Sequence, residues 1–247
     1  MLFSLLCLMT SLSHADILCD GADDLILTGA PTGNLVTFGT GTLTVWVTVN
    51  GATKNAPEYW NGYGILGDDG ANIGMWRGLW AGNGTDMLYG AGADLPALGT
   101  TYTTGTWYHL ALTWGSGTAT MYINGTAVGS GSGWTWSLNG AFQMCNSWTG
   151  GGPSINGTIA GVRTYPTRLS TAEIATLGKS RLIDPLVSAS PSAFWPMDDC
   201  PDGSPRDGLS LADRSINHTT ATATAQTNGG GVLCQGSRWL SYGGGAY

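Results

Sequence analysis

The stretch Trp107-Tyr108-His109-Leu110-Ala111-Leu112-Thr113-Trp114 alternates its side chains across two faces. A strand with one buried face requires that period. Met121-Tyr122-Ile123 follows and runs directly into Asn124-Gly125. Both turn residues tolerate a positive φ, so the pair suits the tight turn of a β-hairpin. A third run, Gly157-Thr158-Ile159-Ala160-Gly161-Val162-Arg163-Thr164-Tyr165, reads as a later strand. The pattern then changes. Ser170-Thr171-Ala172-Glu173 is a capping box, Ile174 and Leu177 form an apolar side, and Gly178 is placed to stop the segment. One short structural helix is therefore predicted near 170–178. The chain as a whole reads as all-β, a two-sheet antiparallel sandwich.

The order of these pieces resembles the laminin-G-like jelly roll of the concanavalin-A-like lectin and glucanase superfamily. The matching residues are Trp107, His109 and Ala111, then Tyr122, Asn124 and Gly125. They continue with Gly157, Ile159, Val162, Arg163 and Tyr165, and close with Leu169, Ser170, Glu173, Ile174 and Leu177. Upstream, Cys19-Asp20-Gly21-Ala22-Asp23-Asp24 looks like the family's opening strand, and Leu43 to Val49 like its next one, with Trp46 one residue early. The resemblance covers about residues 16–180. It implies a jelly-roll fold. Function is left open, because this sandwich carries lectins, adhesins, hydrolases and structural modules.

Composition agrees with strands joined by many turns. Glycine supplies 40 of 247 residues and charged residues only 10%, against about 25% in ordinary domains. A net charge of −7 with nine Lys and Arg argues against a nucleic-acid partner, since phosphate binding needs a basic surface. Residues 1–15 form an apolar leader, Leu2 to Met9 followed by Ser13-His14-Ala15, with no Lys or Arg before the apolar run. Two readings stand: a cleaved secretory signal, and a retained arm that something must cover. The leader is too short to span a bilayer as a helix. Beyond it lie four cysteines, with three possible connectivities. The expected pairs are Cys200 with Cys234, both in the C-terminal segment, and Cys19 with Cys145; four reduced, buried thiols are the alternative.

Residues 181–247 form a Pro/Gly-rich extension. Ser192-Ala193-Phe194-Trp195-Pro196-Met197-Asp198-Asp199 and Asp213-Arg214-Ser215-Ile216-Asn217-His218 resemble the start of a second laminin-G-like repeat whose remainder is missing. Such a fragment cannot bury its own apolar face, so it is expected to pack on the first sandwich or on a neighbouring molecule. The Thr/Ala alternation of Thr219 to Thr227 suits an added edge strand.

Catalytic signatures are sparse. Glycoside hydrolysis usually needs two facing carboxylates about 5 to 10 Å apart. The chain has two glutamates, Glu58 and Glu173, and Glu173 belongs to the capping box. There is no alternating acidic strand and no Gly-x-Ser-x-Gly elbow. His109 reads as a packed, hydrogen-bonded strand histidine. The sequence therefore points to a protein that is not an enzyme. A structural calcium is suggested by the resemblance, with Asp20, Asp23 and Asp24 as candidate ligands.

Aromatic residues carry the better signal. The chain has 11 tryptophans. Trp60, Trp76, Trp80, Trp134, Trp136 and Trp148 stand in Gly- and Asn-rich surroundings, where a flat ring beside donors and acceptors suits a sugar. The expected function is non-catalytic surface recognition or adhesion, with a glycan or a surface protein as partner, outside the cell. The alternative is a structural assembly protein, such as a virion decoration or filament subunit, whose arm and tail join copies into an oligomer.

Overall fold

The computed structural model describes residues 15–21, 24–31, 35–36, 39–50, 63–68, 77–82, 87–91, 98–132, 141–145, 155–179, 181, 187–197, 210–215, 217–218, 221–225 and 233–236. In chain order the first strands are β1 (Ala15–Asp20), β2 (Asp24–Pro31), β3 (Thr40–Val49), β4 (Tyr63–Asp68), β5 (Arg77–Gly82), β6 (Met87–Ala91), β7 (Leu98–Thr101) and β8 (Tyr108–Gly115). They are followed by β9 (Thr118–Ile123), β10 (Thr126–Ser132), β11 (Ala141–Met144) and β12 (Asn156–Tyr165). After helix α1 (Thr171–Leu177) come β13 (Ala193–Trp195), β14 (Ser210–Leu211), β15 (Ala221–Ala225) and β16 (Leu233–Gly236).

Among the described residues these strands form two antiparallel sheets. The first runs β10-β9-β8-β3-β12-β1-β16, with β13 also paired to β12; the second runs β14-β15-β2-β11-β4-β5-β6-β7. Consecutive strands β1 and β2 lie in different sheets, and Gly21 between them takes φ +86°. A Cβ at Gly21 would stand 2.8 Å from the Asn156 Cβ, so the crossing is tight against β12. The predicted jelly-roll sandwich is the fold observed, and the predicted short helix is found at Thr171–Leu177.

The sheets meet through the side chains that alternation turns inward. Leu43, Val45, Val47 and Val49 of β3, Leu110, Leu112 and Trp114 of β8, and Phe142 and Met144 of β11 belong to one buried cluster. The Cys19–Cys145 disulfide joins β1 of the first sheet to the end of β11 in the second, with the Cα atoms 5.9 Å apart. This is the pair expected from the sequence. Cys200 lies outside the described residues, and of Cys234 only the backbone, opposite Ile17, is described.

Local rules act where the sequence placed them. The two-residue link from β9 to β10 is Asn124-Gly125, with φ of +50° and +80°. Asn124 Oδ1 also accepts from the His109 backbone N–H at 2.9 Å. Ser170 caps α1: its hydroxyl accepts from Glu173 N–H, and the Glu173 carboxylate accepts from Ser170 N–H at 2.8 Å. Ile174 and Leu177 then pack on Ala111, Tyr122, Tyr165 and Leu169. The helix thus covers the side of the first sheet that faces away from the core, and β8 is buried on both faces. The expectation of a strand with one buried face is corrected here.

The C-terminal region contributes strands to both layers. β13 pairs with β12, β16 with β1, and β15 with β2 on one side and β14 on the other. The Thr/Ala run therefore supplies a strand, one place in from the sheet edge. Trp195 of β13 is fully buried and stacks on Phe142, centroids 6.2 Å apart. The Asp213-x-Ser215-x-Asn217 motif ties the region down. Asp213 accepts from Phe194 N–H at 2.8 Å and from Ser215 N–H at 2.7 Å, and Ser215 Oγ and Asn217 Nδ2 both donate to Ser192 O.

Candidate functional site

Among the described residues, two places combine burial with polar groups that no partner satisfies. The first is the side of the first sheet away from the core. Thr42, Thr44 and Trp46 alternate with the core residues of β3, and register sets them opposite Thr113, Ala111 and His109 of β8. Thr44 Oγ1, Trp46 Nε1, Thr113 Oγ1 and both ring nitrogens of His109 are buried without a hydrogen-bond partner. Buried polar groups are normally paired, so this cluster is unusual. Arg163 stands opposite Thr44 on the other flank of β3, donates to Gly161 O at 3.3 Å and lies 4.0 Å over the Phe194 ring.

Burial, and then the positive charge of Arg163, pushes the His109 pKa from 6.5 down to about 3. Its imidazole is neutral near physiological pH and far below the value useful to a base working there. The histidine is packed as the sequence suggested. The expected side-chain hydrogen bond is absent, and across the strand pair the imidazole meets the Trp46 ring, at 5.2 Å between centroids. Gly178 closes over the same place: a Cβ there would stand 3.2 Å from His109 Nδ1. This cluster lies beneath the helix end and reads as interior.

The second place is Gln143 in β11. Its neighbours Phe142 and Met144 enter the core, so alternation turns Gln143 to the opposite side of the second sheet. Register sets it between Leu27 of β2 and Gly67 of β4. The row continues from Gly67 to Gly78 of β5 and Ala91 of β6. Gln143 is fully buried, and both Nε2 and Oε1 lack a partner. The sequence reading missed this residue. A lone glutamine between two large apolar residues of a strand was the available signal.

Each carboxylate whose side chain is described serves the fold. Asp16 pairs with Arg181, whose guanidinium also lies 4.1 Å over Trp107. Glu173 is held below its ordinary pKa by hydrogen bonds from Ser188, then from Ser170. Asp213 anchors the Ser215 and Asn217 network. No two of these carboxylates share a cleft-like pairing of the kind hydrolysis uses.

The aromatic candidates fall mostly elsewhere. Trp60, Trp76, Trp134, Trp136 and Trp148 lie outside the described residues. Trp80 occupies a β5 register position opposite Gly64 and Tyr89, with only its backbone described. Of the calcium candidates, Asp20 ends β1, Asp24 opens β2 and Asp23 lies outside the described residues. Among the described residues no three His, Cys, Asp or Glu side chains gather as a metal site, so no chemistry is assigned to calcium. No helix among them is long and apolar enough to cross a membrane.

Comparison with known proteins follows the same outline. A protein of Bacteroides ovatus inferred to bind carbohydrate superposes with a TM-score of 0.62 at 17% identity, over 91% of this chain and 60% of that one. A sialidase of Trypanosoma rangeli, solved in complex with sialic acid, superposes with a TM-score of 0.52 at 20% identity, over 67% of this chain and 28% of that one. The chain thus spans less than two thirds of either protein, and identities this low speak to fold alone. No curated protein sequence matches significantly. A family model does match, over residues 20–175, more than half of the chain. The ordered strand motifs, the two-sheet sandwich and this match agree: the chain belongs to the concanavalin A-like lectin/glucanases superfamily.

Proposed function

We propose that the protein is a non-catalytic recognition module that binds glycans on its sandwich. The observation carrying this reading is the commitment of Asp16, Glu173 and Asp213 to structural hydrogen bonds and an ion pair, together with the pKa of His109, held at about 3. Those groups leave no described acid–base couple, while the fold is one that hosts lectins. The Bacteroides ovatus protein, inferred to bind carbohydrate, shares that fold across most of the chain. The aromatic residues Trp60, Trp76, Trp80, Trp134, Trp136 and Trp148 are the proposed stacking surfaces. The Cys19–Cys145 bridge supports work in an oxidising, extracellular setting.

A glycan array tests the reading. Saturable binding to a defined set of sugars is expected. Trp134→Ala combined with Trp136→Ala is expected to weaken it, and unchanged binding by that pair would remove those two residues from the surface. Absence of binding across the array would count against the reading itself.

A further inference from the structure

We infer that α1 is an acid-released lid over the outer side of the first sheet, with His109 as its trigger. The inference is independent of glycan recognition. The imidazole is completely buried, and neither ring nitrogen has a hydrogen-bond partner. Each element packed around it leaves it without an anion. β3 sets the Trp46 ring against it, and β9 contributes Tyr122, whose hydroxyl bonds to that of Thr171. β12 brings the Arg163 guanidinium. Arg181 lies over Trp107, two residues before His109, and exposed Lys179 follows Gly178 at the helix end. The described carboxylates on this side are taken. Asp16 pairs with Arg181, and Glu173 accepts from Ser170 and Ser188. Asp213, tied to β13 on the far flank of β12, accepts from Phe194 and Ser215. An imidazolium beneath the helix would therefore lack both water and a counter-charge, which is costly.

The helix is the part that can yield. The other face of β8, with Leu110, Leu112 and Trp114, is the main core. α1 is seven residues long, too short to persist without packing. Ile174 and Leu177 hold it on Ala111, Tyr122, Tyr165 and Leu169, a cluster separate from the main core. Its end is seated on the histidine: a Cβ at Gly178 would stand 2.9 Å from Gly125 N and 3.2 Å from His109 Nδ1. Both flanks are pinned. Before the helix, Leu169 N–H donates to Thr42 Oγ1 at 3.0 Å, and Arg168 donates to the Thr118 and Thr120 hydroxyls at 2.9 and 3.1 Å. After it, Arg181 pairs with Asp16. The helix thus lifts between two fixed ends while the sheets stay joined, as a small cooperative unit of low local stability can. Lifting uncovers Tyr122 and Tyr165. Once wet, the imidazole returns to its ordinary value of 6.5, against about 3 beneath the helix. The open form then takes up a proton that the closed form refuses. Each pH unit below about 6.5 favours opening about tenfold, and above that value the lid stays shut.

The test is hydrogen–deuterium exchange read by mass spectrometry on the full chain and on the variants His109→Leu and Gly178→Ala. Rates at pH 6.5 and pH 4.5 are corrected for intrinsic exchange. In the wild type, the amides of residues 174–178 should lose protection about a hundredfold between the two, while those of β3, β8 and β12 keep theirs. His109→Leu should hold the same helix amides protected at both pH values. Gly178→Ala, whose methyl presses on the Gly125 nitrogen, should expose them already at pH 6.5. Unchanged protection of residues 174–178 at pH 4.5 would overturn the lid. Loss of protection in α1 and β8 together would mark global unfolding and overturn it as well. An acid response that survives in His109→Leu would remove the histidine as trigger. Wild-type protection in Gly178→Ala at both pH values would show that the helix end is not what closes over the ring, with the same consequence.

Discussion

Trp46 and His109 face each other across β3 and β8, ring centroids 5.2 Å apart and tilted by 53°, with no hydrogen bond to either imidazole nitrogen. Burial of the imidazole in this place makes the fold acid-sensitive. His109 is lowered from 6.5 to about 3 by burial and then by Arg163. Between those values the unfolded chain takes up a proton that the folded chain refuses. Stability therefore rises with pH across that window and is lost progressively as pH falls below about 6.5. The total is on the order of a few kcal/mol. Melting curves between pH 4 and pH 7 should show this slope, and His109→Leu should flatten it relative to wild type.

The Cys19–Cys145 bridge closes a loop with a sequence separation of 126 residues. Loop-closure entropy for that length corresponds to at most about 5 kcal/mol. Replacing both cysteines by alanine should lower the denaturation midpoint markedly without changing the far-ultraviolet circular dichroism of the folded state. An unchanged midpoint would show that the bridge constrains little.

Trp195 couples the C-terminal region to the core. It is fully buried, stacks on Phe142, and sits on a strand paired to β12. Trp195→Ala should cost about 3–5 kcal/mol. Asp213→Ala, which strips the acceptor from Phe194 N–H and Ser215 N–H, should also destabilise, by roughly 1–3 kcal/mol. Chemical denaturation of the two variants checks both values. A truncation before β13 that folds with wild-type stability would contradict this account of the region.

Gly157 belongs to β12, and a Cβ there would stand 2.1 Å from the Thr48 backbone oxygen. Backbone cannot swing aside as a side chain can, so Gly157→Ala should disturb the β3–β12 pairing and lower the melting temperature. Gly105→Ala offers a contrast. Its Cβ meets nothing within 4 Å, but its φ of +75° leaves a strain of roughly 1 kcal/mol. The first variant should be the more damaging of the two.

Much of the fold was legible because its rules are local. Asn124-Gly125 announces a tight turn through backbone freedom alone, and Ser170 with Glu173 announces a helix start through two reciprocal hydrogen bonds. Alternation gave β8, and the Thr/Ala run gave β15. The rest depends on which strands meet. That Trp46 stands against His109, or Gln143 between Leu27 and Gly67, follows from register between segments far apart in sequence. Period-two patterning also made β8 look half exposed, because nothing local says that α1 will cover its Thr and Ala positions. The candidate site suffered most. The sequence drew attention to tryptophans in Gly- and Asn-rich runs, whereas the signal at Gln143, one polar residue between Phe142 and Met144, gains weight only once the fold buries its amide without a hydrogen-bond partner.

Recognition without bond cleavage is the central claim, and one titration addresses it most directly: calorimetry of the intact chain against a neutral oligosaccharide series, followed by chromatography of the recovered sugar. The account predicts saturable binding with every oligosaccharide recovered whole. Shortened products after prolonged incubation, or no saturable heat from any member of the series, would contradict it.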